Sequence, residues 1–224
     1  MKTYLEFSDI ELMEQAARCQ RDRLLIRLLS RLGCRISEAL ALKVKDVDFD
    51  RNTITILHLK RSIRLSCPVC KVQVGNRHQF CPGCGTIVSQ TMKSQQERRR
   101  IRVLPLDEGT IGMLSAYITE LGISDIMVPL FSLNRHRAWQ IVRDCARRTG
   151  LPSLVNPETG RVRGISPHRL RDAFSVHAMK VDDSGDGLRL LQEHLGHVSF
   201  NTTARYRKIA GEEHRQWYNR LWIK

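Results

Sequence analysis

Two histidines, an arginine and a tyrosine collect between residues 166 and 206, in the phrases SPHRLRDAF, LQEHLGH and NTTARY. Ser166 is a suitable N-cap and Pro167 suits a first helical turn, so a helix is predicted to begin here. His168 and Arg171 then share one face of it, near the end where unpaired N–H groups and the helix dipole favour an anion. His197 closes the LGH phrase, and Tyr206 follows nine residues later. Guanidinium and imidazole groups suit a phosphate. A tyrosine, with an ordinary pKa of about 10, needs such a cationic setting to act as a nucleophile at neutral pH. The chemistry these residue types support is attack on a phosphate ester.

HRLR (His168 to Arg171), LGH (Leu195 to His197) and Tyr206 resemble the tyrosine recombinases, the phage-integrase and Xer class, whose motif runs His-x-x-Arg, Leu-Gly-His, Tyr. That pattern opens with an earlier arginine in a phrase like Thr-Gly-Leu-Arg-x-x-Glu. Here LGCRISEALAL supplies Arg35, with Glu38 three residues on. The resemblance runs from about Asp9 to Tyr206. Cys34 departs from it where an aliphatic residue is usual, which reads as a packing change. Asp172 departs where a histidine often follows the second arginine, and it could orient a neighbouring base.

The resemblance implies catalytic roles for Arg35, His168, Arg171, His197 and Tyr206. Tyr206 would attack the scissile phosphate, forming a 3′-phosphotyrosyl link and releasing a 5′-hydroxyl. The link stores the bond energy, so neither ATP nor a catalytic metal is expected. Arg35 and Arg171 would clamp the non-bridging oxygens, while His168 and His197 exchange hydrogen bonds around the phosphate and the phenol.

Composition also favours a polyanionic partner. The 224 residues carry a formal net charge of +14, and from Lys60 to Arg102 ten Lys or Arg accompany the single acid Glu97. An excess so concentrated points to nucleic acid, here double-stranded DNA. Hydrophobic content of 42% suffices for a core and argues against a disordered chain. No apolar run approaches the roughly 20 residues of a membrane span, and MKTYLEFSD has no signal-peptide core. No membrane role is expected, and the expected compartment is cytoplasmic. There, seven cysteines point to metal binding rather than disulfides.

Several elements must position these groups. Ser8 and Glu11 read as a capping box for a helix from about Asp9 towards Cys19. RDRLLIRLLSRLG places Leu24, Leu25, Leu28, Leu29 and Leu32 on a helix stopped by Gly33, whose end delivers Arg35. ISEALAL reads as a short helix in which Glu38 pairs with its neighbouring arginine. TITILHL (53–59) and RIRVLPL (100–106) read as strands. Helices follow over DEGTIGMLSAYITELG and NRHRAWQIVRDCARRTG. The second buries Ala138, Ile141, Val142 and Cys145 and turns Arg143 and Arg147 outward, where they can meet DNA phosphates. SLVNPETGRVRG and DDSGDG read as loops. The expected fold is α+β, a mainly helical tyrosine-recombinase catalytic domain over residues 1–224 with a small antiparallel sheet. A separate N-terminal core-binding domain is not expected.

About forty residues separate the two strands, far more than a hairpin needs. They contain CPVC and CPGC, so Cys67, Cys70, Cys81 and Cys84 form two knuckles of the kind a tetrahedral Zn²⁺ site requires. A zinc ribbon inserted over residues 61–92 is predicted. Its zinc is structural, because four thiolates close the shell. In the resembling family this hairpin carries a catalytic lysine; Lys93 on the returning arm is the expected residue, with Lys60 competing. Arg98, Arg99 and Arg100 beside it are expected to anchor on DNA phosphates. The family also docks a C-terminal helix on a neighbouring protomer, which implies a homo-oligomer assembled on DNA. Trp217, Leu221 and Trp222 mark that helix here. The expected function is site-specific cutting and rejoining of DNA. A non-catalytic DNA-binding zinc-ribbon relative and a type IB topoisomerase-like enzyme are the alternatives.

Overall fold

The helix that delivers Arg35 is the centre of the fold. In the computed structural model, which describes residues 2–57, 65–75, 78–87, 101–122, 124–156, 159–197 and 200–209, it is α2 (Gln20–Arg31), preceded by α1 (Phe7–Gln15). Leu24, Leu25, Ile26, Leu28, Leu29 and the C-cap Leu32 are all fully buried. A helix this apolar on several faces has to be covered on several sides. It is covered by α1 and by α3 (Ile36–Leu40), α4 (Glu108–Glu120), α5 (Arg135–Arg148) and α6 (Pro167–Val181). Two further helices, α7 (Gly185–Leu195) and α8 (Phe200–Ile209), pack on α6 and on each other.

The strands are β1 (Val47–Asp48), β2 (Thr53–Leu57), β3 (Leu65–Ser66), β4 (Gln73–Val74), β5 (Ile101–Pro105), β6 (Leu154–Val155) and β7 (Val162–Arg163). β1, β2 and β5 form an antiparallel sheet in that order. Its register runs from Thr53 opposite Pro105 to Leu57 opposite Ile101. Ile54, Ile56 and Leu104 face the core, whereas Leu57, Ile101 and Val103 face outward. Slipping the pairing by one residue would turn both isoleucines into water, so burial fixes the register. Pro105 is tolerated because β5 is an edge strand. Leu57 and Ile101, which flank residues 58–100 in the sequence, are themselves partners in this register. Within them β3 and β4 form their own antiparallel pair.

Three local expectations are corrected. The capping box of α1 lies two residues earlier than Ser8 and Glu11: Glu6 is the N-cap, and the Asp9 carboxylate accepts from the Glu6 N–H at 2.7 Å. Asp9 is itself buried and held by Lys2 at 2.6 Å, an anchor the Ser8 frame lacks, and the helix ends at Gln15. SLVNPETGRVRG is not all loop. Leu154 pairs with Arg163 and Val155 with Val162 in a hairpin whose alternation is too short to read, and the Val155 N–H also donates to the Lys2 carbonyl at 2.9 Å. DDSGDG is partly helix, because the Ser184 hydroxyl accepts from the Gly187 N–H at 2.9 Å and starts α7 at Gly185. Ser166 is the N-cap of α6 as expected, with Pro167 in the first turn, although among the described residues its side chain makes no cap bond. The tail with Trp217, Leu221 and Trp222 lies outside the described residues.

Candidate active site and metal centre

Arg35 stands at the N-cap of α3 with an extended backbone. Its Nη1 donates to Glu38 Oε1 at 2.9 Å, while Glu38 Oε2 accepts from the Arg35 N–H at 3.0 Å and from Arg102 Nη2 at 2.9 Å. Burial alone would raise the Glu38 carboxyl. The Arg35 N–H and the Arg102 and Arg35 guanidiniums outweigh it and hold the group below the usual carboxylate range. Glu38 is thus an ionised, buried carboxylate that fixes two arginines at once.

Arg102 was not anticipated as a site residue. It comes from β5, and its Nη1 also donates to the His194 carbonyl. Strand alternation was the available signal, since Arg102 has the inward parity of buried Leu104. Among the described residues its buried Nε has no hydrogen-bond partner, and it lies against Gly196. Gly196 ends α7 at φ +65, and a Cβ there would sit 3.2 Å from that Nε. The glycine of LGH is therefore required twice, for the left-handed turn and for the approach of Arg102.

Arg171 is 4% exposed and held by the ends of two helical segments. Its Nη1 donates to the Gly33 carbonyl, and its Nη2 to the Leu195 carbonyl at 2.9 Å and to His197 Nε2 at 3.0 Å. Burial first, then the nearby Arg35 charge, push its pKa down to about 10, which leaves it cationic at neutral pH. Because His197 Nε2 accepts from a guanidinium, the ring proton belongs on Nδ1, which donates to Thr203 Oγ1 at 2.9 Å. Arg171 sets this tautomer, and the buried Thr203 hydroxyl accepts the Nδ1 proton and holds the ring, a role that NTTARY did not disclose.

His168 extends into solvent, with its Nδ1 3.4 Å from Asp172 Oδ1. Arg35, His168, Arg171 and His197 line one open cleft of about 480 Å³, together with Arg135 and Trp139 of α5. Tyr206 is fully buried on α8 and is not part of that lining. Its ring stacks on His197 at 6.4 Å between centroids and 13° between planes, and its hydroxyl donates to Asp172 Oδ1 at 3.0 Å. The structure therefore gathers four of the expected groups around one cleft and sets the tyrosine directly behind His197. Cys34 also lines the cleft, but burial first and then Glu38 push its thiol up to about 12, which keeps it protonated.

Arg143 and Arg147 lie on the exposed side of α5, opposite the buried Ala138, Ile141, Val142 and Cys145. The Arg143 guanidinium covers the Trp139 ring at 4.7 Å, and Arg147 pairs with Asp144 at 3.3 Å. Trp139 joins the groove they line to the main cleft. Lys60, Lys93, Arg98, Arg99 and Arg100 lie outside the described residues.

Cys67, Cys70, Cys81 and Cys84 come together with all four sulfurs within 4.8 Å of one another, a cluster that can hold a metal ion. Tetrahedral Zn–S bonds of about 2.3 Å place sulfurs about 3.8 Å apart, and Cys67–Cys84 and Cys70–Cys81 stand at 3.5 and 3.4 Å. The two knuckles repeat one backbone pattern: Lys71 N–H to Cys67 carbonyl at 3.0 Å, and Gly85 N–H to Cys81 carbonyl at 2.9 Å. A Cβ on Gly83 would stand 2.9 Å from Val72 and 3.3 Å from the Cys70 sulfur, so only glycine fits beside the cluster. The Cys70 N–H, donating towards Cys67, is the largest of the effects that bring that thiol down to about 6. His78 instead accepts from the Gly75 N–H at 3.1 Å and stands apart from the four sulfurs.

A helical α+β domain with a three-stranded sheet and this cleft has the fold of a tyrosine-recombinase catalytic domain. It superposes on the crystal structure of XerA recombinase with a TM-score of 0.66, at 19% identity, covering 100% of this chain and 66% of that one. The catalytic domain of bacteriophage HP1 integrase gives 0.54 at 17% identity, covering 93% of this chain and 89% of that one. The chain belongs to the phage integrase family, whose profile matches residues 4–213. Tyrosine recombinase XerC of Staphylococcus aureus strain MSSA476 is 26% identical over 206 residues, 92% of this chain and 54% of that protein. Tyrosine recombinase XerD of Mycobacterium leprae strain TN is 29% identical over 186 residues, covering 83% and 47%. The chain spans about half the length of these two relatives. Among the described residues, no helix is long and apolar enough to cross a membrane.

Proposed function

We propose that this chain cuts and rejoins double-stranded DNA at specific sites, with Tyr206 as nucleophile and Arg35, His168, Arg171 and His197 as the phosphate-binding groups. The observation that carries this reading is the convergence of those four side chains on one cleft with the Tyr206 ring stacked against His197. Arg171 is held by two backbone carbonyls and Arg35 by Glu38, so both guanidiniums are oriented before a phosphate arrives. In the forward step the phenol oxygen bonds to phosphorus as its proton leaves, and the P–O5′ bond breaks as the 5′-oxygen gains a proton. The reverse step restores the phosphodiester without ATP or a catalytic metal.

Lys93 is the proposed donor of the 5′ proton, and Arg98, Arg99, Arg100, Arg143 and Arg147 the proposed backbone anchors. The four cysteines are proposed to hold a structural Zn²⁺, whose chemistry would be to crosslink the knuckles of residues 61–92. Cys67, Cys70, Cys81 and Cys84 would supply all its ligands. Action as a homo-oligomer on DNA in the cytoplasm completes the reading.

Covalent trapping on nicked duplexes, with sequencing of the trapped DNA, tests it. Wild-type protein should give an adduct stable in denaturing gels, and Tyr206→Phe none while still binding DNA. An adduct with the phenylalanine variant would sink the assignment. Trapping without sequence preference would favour the topoisomerase-like alternative, and binding without any adduct the non-catalytic one. Replacing the 5′-oxygen by sulfur, a leaving group that needs no proton, should rescue Lys93→Ala. Rescue of Lys60→Ala instead would exchange the two lysines.

A further inference from the structure

The carboxylate of Asp172 occupies a position that the cleft chemistry leaves unexplained. It follows Arg171 on α6, is 8% exposed, and has charged or polar partners on both oxygens. Oδ2 accepts from Arg169 Nη1 at 2.6 Å. Oδ1 accepts the Tyr206 hydroxyl at 3.0 Å and lies 3.4 Å from Nδ1 of His168, which lines the cleft. The Tyr206 ring stacks on His197 and packs in an apolar cluster with Val176, Met179, Leu188, Leu191 and Leu195. A phenol hydroxyl in such a setting needs one good acceptor, and a carboxylate is the strongest the protein can offer. The same bond engages the proton that the nucleophile must lose, and it holds the oxygen out of the cleft lining.

We propose that Asp172 is the positioning residue of Tyr206: it retains the hydroxyl behind His197, and breaking that bond precedes attack on the phosphate. The inference rests on Tyr206 being the nucleophile. Arg169 holds the other oxygen, so the carboxylate itself stays in place while the phenol departs.

The first test needs no DNA and so stands apart from the reading it rests on. The full-length chain is treated with tetranitromethane, and nitration is mapped by mass spectrometry at each of its four tyrosines. Tyr117, buried with its hydroxyl on the Leu130 carbonyl at 3.1 Å, is the internal control. In wild-type protein Tyr206 and Tyr117 should both be protected. Losing a charge-assisted bond should make Tyr206 of Asp172→Ala react about ten-fold faster, with Tyr117 unchanged. Asp172→Asn keeps a neutral acceptor and should fall between, and it carries the test if the alanine variant does not fold. Unchanged nitration of Tyr206, or an equal rise at Tyr117, overturns the proposal.

The second readout is the first-turnover rate of adduct formation on a nicked duplex trapped by wild-type protein. Release of the hydroxyl predicts faster adduct formation in Asp172→Ala than in wild type. If adducts vanish while wild type reacts, Asp172 is a base for the phenol and the positioning role is wrong. If wild type itself forms no adduct at Tyr206, the proposed function fails, and the nitration result stands independently.

Discussion

Arg102 and Glu38 meet at 2.9 Å across 64 positions of sequence, and through Glu38 the strand that returns from the insert touches Arg35. Arg102 is 10% and Glu38 1% exposed at the side chain, so neither charge can be rehydrated if its partner is lost. Arg102→Met should cost about 3 kcal/mol of stability, the range for breaking a buried pair. Chemical unfolding of wild type, Arg102→Met, Glu38→Gln and the double variant measures the coupling. Additive losses would show that the two residues do not act together.

Glu38 also predicts a pH dependence. Its folded carboxyl lies below the ordinary range, so it contributes stability at neutral pH. That contribution is lost as pH falls through the ordinary carboxylate value of about 4.3 and then through the lower folded value. The stability gap between wild type and Glu38→Gln should therefore be largest above about pH 5 and shrink towards acid. Melting temperatures of both proteins between neutral and acid pH check it, and a constant gap would contradict it.

Gly196→Ala should be far worse than an ordinary exposed substitution. The left-handed backbone alone costs an alanine about 1–2 kcal/mol, and the methyl group must displace the Arg102 guanidinium. Thermal melts give the loss. A change smaller than about 1 kcal/mol would mean that α7 ends differently.

Metal removal should act locally. Chelation or Cys81→Ser should release one zinc per chain and make residues 61–92 sensitive to protease, while the helical signal of the α2 core is retained. Elemental analysis and limited proteolysis read both effects. Loss of all helical structure on chelation would make the cluster part of the main folding unit.

Arg143 and Arg147 should act through charge rather than sequence. Replacing either by Ala is expected to lower the slope of log binding constant against log salt by about 1 and to weaken unrelated duplexes equally. A selective loss for one DNA sequence would instead assign base contacts to α5.

The sequence by itself determined the chemistry-bearing set, because residue type and spacing are local properties. RDRLLIRLLSRLG disclosed a helix that stops just before Arg35, and the alternation in TITILHL and RIRVLPL disclosed two strands. The paired C-x-x-C knuckles disclosed a cluster that can hold a metal ion, since two thiols with two residues between them can close on one point in a tight turn. What stayed hidden depended on groups far apart in sequence. Arg102 reads only as a basic residue in a strand until the fold sets it against Glu38 and Gly196. Asp172 reads as a departure from a motif that could orient a base, and its Tyr206 partner emerges only when α8 packs on α6 and delivers the hydroxyl to it. Thr203 holds the His197 ring only because α8 follows α7 after a sharp left-handed turn. Local pattern thus named the groups proposed to meet a phosphate, whereas burial decided which carboxylates orient them, since a polar group removed from water must find its partner wherever the packing brings one.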